Sequence, residues 1–216
     1  LNSEGKLILT QCGDRRIAVM LAPLDAPTAD FKTLADKFDG KRFSSPNDVI
    51  ADKKGNYYFT DPPYGLEKQE NDPLKEQTKE GVYRLNADGS VEQIIDSLTR
   101  PNGLILSNDE KKLYVANSDP ARAIWAVYDI DSLGKLSNGN VFMDATPFVN
   151  KGKGLPDGLK MDSKGYIYAS GPMGIWVFNP AGKHIATIKI KEHASNVALD
   201  DTESYLYITA NMYLLR

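Results

Sequence analysis

Apolar residues along this chain do not recur every three or four positions; they alternate with polar ones in short runs broken by Gly, Asn, Asp and Lys clusters. The stretch SPNDVIADKKGNYYFTD from Ser45 reads as a polar turn, a short apolar strand, a tight polar turn and a second, aromatic-rich strand. The same reading fits RPNGLILSNDEKKLYVAN from Arg100, LPDGLKMDSKGYIYASG from Leu155 and ASNVALDDTESYLYITA from Ala194. Their polar lead residues are Asn47, Asn102, Asp157 and Asn196, in steps of 55, 55 and 39. A second segment also recurs: GVYRLNADGSVEQI from Gly81 aligns with GIWVFNPAGKHIATI from Gly174, each with an Asn-x-x-Gly hairpin turn. Each unit is then four antiparallel strands, and a repeat of this length with several strands per unit is that of propeller blades rather than a helical solenoid.

Helix signals are scarce; the main candidate for a turn or two of helix is the charged stretch from 67 to 80, for which a solvated loop is the favoured reading. Asn2-Ser3-Glu4-Gly5 matches the turn Asp52-Lys53-Lys54-Gly55, so the chain is expected to open in mid-blade and to close on about half a blade. The expectation is an all-β fold: residues 1–216 form a single propeller domain with the N-terminal blade missing, covering roughly four and a half blades of a six-bladed β-propeller in the intact protein. The true N-terminus then lies outside the chain, and neither compartment nor oligomeric state is read from the sequence.

Composition narrows the chemistry. The chain has 41% hydrophobic and 25% charged residues and a net charge of -3, with the basic residues dispersed, so nucleic acid is not an expected partner. No apolar run approaches the roughly 18 residues of a membrane span. The lone Cys12 excludes an internal disulfide and reads as a small buried apolar residue. His184 and His193 are the only histidines, which leaves nucleophilic triads poorly supplied.

In a propeller the first strand of each blade lines the channel, so Asn47, Asn102 and Asp157 are expected to converge at one mouth. Two carboxamides and a carboxylate offer hard oxygen donors suited to Ca²⁺, or less strongly to Mg²⁺ or Mn²⁺. The competing reading is that Asn102-Gly103 and Asp157-Gly158 are only turn formers. Pro46, Pro101 and Pro156 stiffen the backbone before three of the lead residues, whereas Asn196 lacks that proline and reads as an ordinary turn.

The blocks GKRFSSPNDVIADKKGNYYFTDPPYGL, RPNGLILSNDEKKLYVANSD and LPDGLKMDSKGYIYAS together resemble the gluconolactonase branch of the SMP-30/gluconolactonase/LRE family, six-bladed metal-dependent lactonases. The resemblance implies that Asn102 is a metal ligand and that Asp157 is a second ligand and the acid/base residue. It also implies that Asn47 contacts the substrate and the metal's surroundings. Tyr64, from its place in the loop after Asp61, reads equally as a substrate wall over the channel mouth or as loop packing. The family's remaining ligand, a glutamate of its first blade, has no counterpart in this chain. Ser45 stands where some members carry an arginine, so their sugar-binding pattern does not transfer. The implied activity is hydrolysis of a small, sugar-type lactone with a divalent cation, Ca²⁺ first and Mg²⁺, Mn²⁺ or Zn²⁺ as alternatives. Asp48 is expected to serve a turn or inter-blade hydrogen bond, and Asp61 to cap its own proline-rich loop. Two other readings stand beside this one: a non-catalytic binding propeller, and a strictosidine-synthase-like propeller with different chemistry.

Overall fold

The computed structural model describes all residues, Leu1–Arg216, and they form twenty strands and two 3₁₀ turns. Val, Ile, Tyr and Phe at alternating positions favour pleated, half-buried strands, and Gly or Asx-containing turns end each strand before it can lengthen. The backbone divides into two compact units, Leu1–Pro101 and Asn102–Arg216.

In the first unit, β1 (Ile8–Gln11), β2 (Arg16–Met20) and β3 (Phe31–Ala35) form one antiparallel sheet, and β4 (Lys37–Phe38) and β5 (Lys41–Arg42) a small ribbon. The next sheet is β6 (Val49–Ala51), β7 (Tyr57–Asp61), β8 (Gly81–Leu85) and β9 (Val91–Ile95), in that order. The turn before β1 has the hydrogen bonds of the turn before β7: Gly5 N–H to Asn2 O at 3.0 Å, and Gly55 N–H to Asp52 O at 3.2 Å. Both glycines have positive φ, so β1–β3 match β7–β9 strand for strand.

The second unit continues the pattern. β10 (Pro101–Leu106), β11 (Lys112–Asp119), β12 (Arg122–Ile130) and β13 (Leu136–Asp144) make a four-stranded meander. β14 (Leu159–Met161), β15 (Ile167–Gly171), β16 (Gly174–Phe178) and β17 (His184–Lys189) make another, and β18 (Ala194–Leu199), β19 (Leu206–Ala210) and β20 (Tyr213–Leu215) a three-stranded one. Three four-stranded and two three-stranded sheets follow one another along the chain, five blades of which the first and the last hold three strands each, where roughly four and a half were expected. The Asn-x-x-Gly turns are hairpins, with Gly89 at φ 89° and Gly182 at φ 78°.

Each unit has an aromatic core. Phe43, Phe59 and Tyr83 are fully buried, their ring centroids 5.0 to 5.4 Å apart. In the second unit Trp125, Trp176 and Phe178 play this part, and His184 stacks on Trp176 at 4.3 Å, a packing role. The stretch from 67 to 80 differs from a purely solvated loop. It holds a 3₁₀ turn, Gln69–Asn71, and two buried anchors. The Asp72 carboxylate accepts the N–H groups of Lys68 and Leu74, and Gln77 Nε2 donates to Phe38 O and Lys41 O. No helix is long and apolar enough to cross a membrane.

Candidate functional site

Three of the lead residues sit where the second unit's blades meet. Asn102 is the second residue of β10 rather than part of a turn. Neither Gly103 nor Gly158 adopts positive φ, which corrects the turn-former reading of Asn102-Gly103 and Asp157-Gly158. These glycines serve close approach instead. A Cβ on Gly103 would strike Asp157 O and lie 2.7 Å from Gly158 Cα, and one on Gly158 would lie 2.8 Å from Asn196 Cα. The lead segments of three successive blades therefore stack backbone to backbone, and Asn102 and Asp157 come together although a whole blade of sequence separates them. Asn196, expected as an ordinary turn, instead lies within β18, paired with Thr209, its Oδ1 accepting the N–H of Val197 at 2.8 Å.

A hydroxyl series holds this stack. Ser118, on β11, is 8% exposed; its Oγ accepts a hydrogen bond from Asn102 Nδ2 at 2.9 Å and donates to Pro156 O, just before Asp157. On β15, Ser170 Oγ bonds Gly158 O at 2.8 Å and Ser195 O at 3.2 Å, just before Asn196. In the first unit Thr10 Oγ1 donates to Asn47 O at 2.7 Å. The second strand of a blade thus carries a Ser or Thr that reaches the lead segment of the next. Sequence reasoning missed this series; Thr60 and Thr209, at the same offset from their lead residues as Ser170, bond the lead segments of their own blades, at Asp48 N–H and Asn196 O.

Asn47 and Asp157 occupy the same structural place in their blades. Asn47 N–H donates to Thr60 O at 2.9 Å and Thr60 N–H to Asp48 O at 3.1 Å; Asp157 N–H donates to Ser170 O at 3.1 Å and Ser170 N–H to Gly158 O at 2.9 Å. Both lead side chains are half-buried, whereas Asn102 is 7% exposed. Asp48 keeps to the local role expected of it, its Oδ1 accepting Val49 N–H at 2.9 Å. Tyr64 is half-buried, and its hydroxyl makes a long contact, 3.4 Å, with Arg100 O. Cys12 is half-buried rather than buried, its Sγ packed where only a glycine fits at position 65.

Asp61 corrects another expectation: it caps not its own loop but the segment before Asn47. Its two oxygens accept the N–H groups of Ser44 at 2.8 Å and Ser45 at 2.7 Å, while Ser45 Oγ donates to Pro62 O and accepts Gly65 N–H. Asp61 is fully buried, and desolvation raises its pKa to about 7, against the pull of those N–H groups and of Arg15; Glu80 adds to the rise.

No three His, Cys, Asp or Glu side chains gather into a metal-holding group. The backbones that pack together carry an amide and a carboxylate, Asn102 and Asp157, both hard-oxygen types that suit a divalent cation of the Ca²⁺ class. The fit depends on which end of the amide faces outward, and Ser118 decides it. A hydroxyl has one proton; that of Ser118 goes to Pro156 O, so toward Asn102 it can only accept. The amide nitrogen must face Ser118, and the oxygen takes the opposite edge.

Successive up-and-down sheets with stacked lead segments define a β-propeller type of chain. Residues 1–212 match the model of the SMP-30/gluconolactonase/LRE-like region, and the chain belongs to that family. It is 38% identical to a gluconolactonase of Zymomonas mobilis, matching over 99% of this chain and 60% of that protein. Among solved structures it resembles a gluconolactonase from Xanthomonas campestris, with a TM-score of 0.83 and 31% identity over 97% of this chain and 67% of that one. A putative gluconolactonase gives a TM-score of 0.84 at 28% identity, over 99% and 70%. The chain thus spans about 60% of the length of the curated gluconolactonase it matches.

Proposed function

We propose that the protein hydrolyses a small, sugar-type lactone to its hydroxy acid, with a divalent cation, Ca²⁺ first, held by Asn102 and Asp157. The observation that carries this reading is the pairing of those two residues with the amide polarity set by Ser118. The lactonase names of the Zymomonas and Xanthomonas relatives support it. The scaffold proposed for the whole protein is the family's six-bladed propeller.

When bound, such a cation supplies Lewis-acid polarisation of the ester carbonyl and acidifies water. Asp157 is half-buried, which lets its carboxylate face solvent and substrate. In the proposed reaction it accepts a proton from the attacking water as the new C–O bond forms at the carbonyl carbon. It returns that proton to the ring oxygen as the acyl C–O bond breaks, which yields one carboxylic acid and one alcohol. No side-chain nucleophile is needed, consistent with the packing role of His184. Asn47, fixed through its main chain by Thr60 and Thr10, and Tyr64 are assigned to the substrate.

The test is hydrolysis of D-glucono-1,5-lactone and a panel of simple lactones by the full-length protein, with EDTA and then Ca²⁺ added back. Activity is expected to vanish on chelation and to return with the ion. Asp157→Asn should lower kcat by about 10²–10⁴-fold, the usual range for loss of a general acid/base. Turnover that survives both treatments refutes the mechanism.

A further inference from the structure

Ser118 stands out among the buried groups because its two hydrogen bonds face different blades. Asn102, which sends its amide nitrogen to Ser118 Oγ at 2.9 Å, belongs to β10 of the same sheet. Pro156 O, which takes the hydroxyl proton, opens the segment of the following blade that carries Asp157. One hydroxyl therefore joins the Asn102 side chain to the peptide that leads into Asp157. Its neighbours in the series do less: Ser170 Oγ and Thr10 Oγ1 have main-chain carbonyl partners only, with no amide to orient.

We propose that Ser118 is a positioning residue of the lactonase site, which fixes Asn102 with its amide oxygen outward and clamps the Pro156–Asp157 segment beside it; this rests on the functional reading above. Proton count decides the orientation. Because the single hydroxyl proton is committed to Pro156 O, an Asn102 amide turned over would set its carbonyl oxygen against an oxygen with no proton to give. That arrangement is repulsive and would leave buried polar atoms unmatched. Removing the hydroxyl removes the reason for one orientation over the other. It also frees Pro156 O, and with it the backbone that Gly103 packs against. Asp157 N–H and Gly158 N–H, bonded to Ser170 O and Ser195 O, report how firmly that backbone is held.

Three variants of the full-length protein test this. Ser118→Ala deletes the hydroxyl, Ser118→Thr keeps it, and Ser107→Ala deletes a hydroxyl at the far end of β10, where it bonds Asp109 and Lys112. Hydrogen exchange at the Asp157 and Gly158 amides needs neither metal nor substrate. It should quicken about tenfold or more in Ser118→Ala and stay near wild type in the other two. Calcium titration by calorimetry should show affinity weakened at least tenfold in Ser118→Ala, restored to within about threefold by Thr, and unchanged in Ser107→Ala. Unchanged exchange at both amides, or calcium affinity indifferent to Ser118→Ala, overturns the positioning role. Wild type that neither binds Ca²⁺ nor opens lactones overturns the functional reading instead, and the exchange measurement still decides whether Ser118 clamps the segment. If Ser118→Ala fails to fold, failure of Ser118→Thr to restore calcium binding in a folded protein overturns the proposal.

Discussion

A carboxylate whose two oxygens both accept main-chain N–H groups ordinarily ionises easily, yet Asp61 is held near neutrality because its burial costs more than those bonds return. The unfolded chain releases this proton near pH 4, whereas the folded one keeps it to about 7. Between those values the native state binds the extra proton, so Asp61 contributes stability that is complete below about pH 4 and lost as the pH rises through 7. Full ionisation costs on the order of 4 kcal/mol at 1.36 kcal/mol per pKa unit. Asp61→Asn cannot ionise and should flatten this dependence. Urea unfolding of both proteins from pH 4.5 to 8 should show wild type losing stability relative to the variant as pH rises. A constant difference across that range would show that Asp61 is ionised throughout. Arg15, Glu80 and the Ser44 and Ser45 amides are the groups facing it, and none of them was legible as its neighbour in sequence.

At the scale of elements, the glycines of the lead segments show what the sequence could and could not convey. The repeat of strand, turn and strand was readable because each blade solves the same local problem with the same residues, down to Gly89 and Gly182 in matching hairpins. The role of Gly103 and Gly158 was not, because a glycine after Asn or Asp looks the same whether it serves φ or close packing. The hydroxyl series was hidden for another reason. Ser118 lies further beyond Asn102 than Thr60 does beyond Asn47, because the turn bonded from Ser107 N–H to Lys112 O is longer than that from Asp52 N–H to Asn56 O and β11 is a longer strand than β7. Close packing predicts a steep cost at one glycine and none at another. Gly103→Ala forces a methyl group into backbone atoms that cannot rotate away, and should destabilise by about 1–3 kcal/mol. Gly13→Ala, with nothing within 4 Å of the added carbon and no positive φ, should fall within about 0.5 kcal/mol of wild type. Equal denaturation midpoints for the two variants would contradict the stacking of Gly103 on Asp157.

For the whole molecule, the proposed site ties metal binding to stability, because its two donors come from the lead segments of different blades, which the unfolded chain does not hold together. A ligand that binds only the folded state stabilises it by RT ln(1 + [L]/Kd), about 2.7 kcal/mol at a hundredfold excess over Kd. For a domain of about 150–250 residues, each kcal/mol moves the melting point by roughly 2–4 °C, so saturating Ca²⁺ should raise it by about 5–10 °C. The shift should disappear in Asn102→Ala and in Asp157→Ala, since either substitution removes one of the two oxygens. It should persist in Gly13→Ala, which touches neither. Mg²⁺ at the same concentration should give a smaller shift, because it demands near-ideal octahedral geometry and sheds water reluctantly, whereas Ca²⁺ tolerates the mixed amide and carboxylate set. Differential scanning calorimetry of the full-length protein, stripped with EDTA and then titrated with each ion, measures all of this in one series. A melting point that ignores Ca²⁺ in wild type, or a shift of equal size in Asp157→Ala, would remove Asn102 and Asp157 from the metal site.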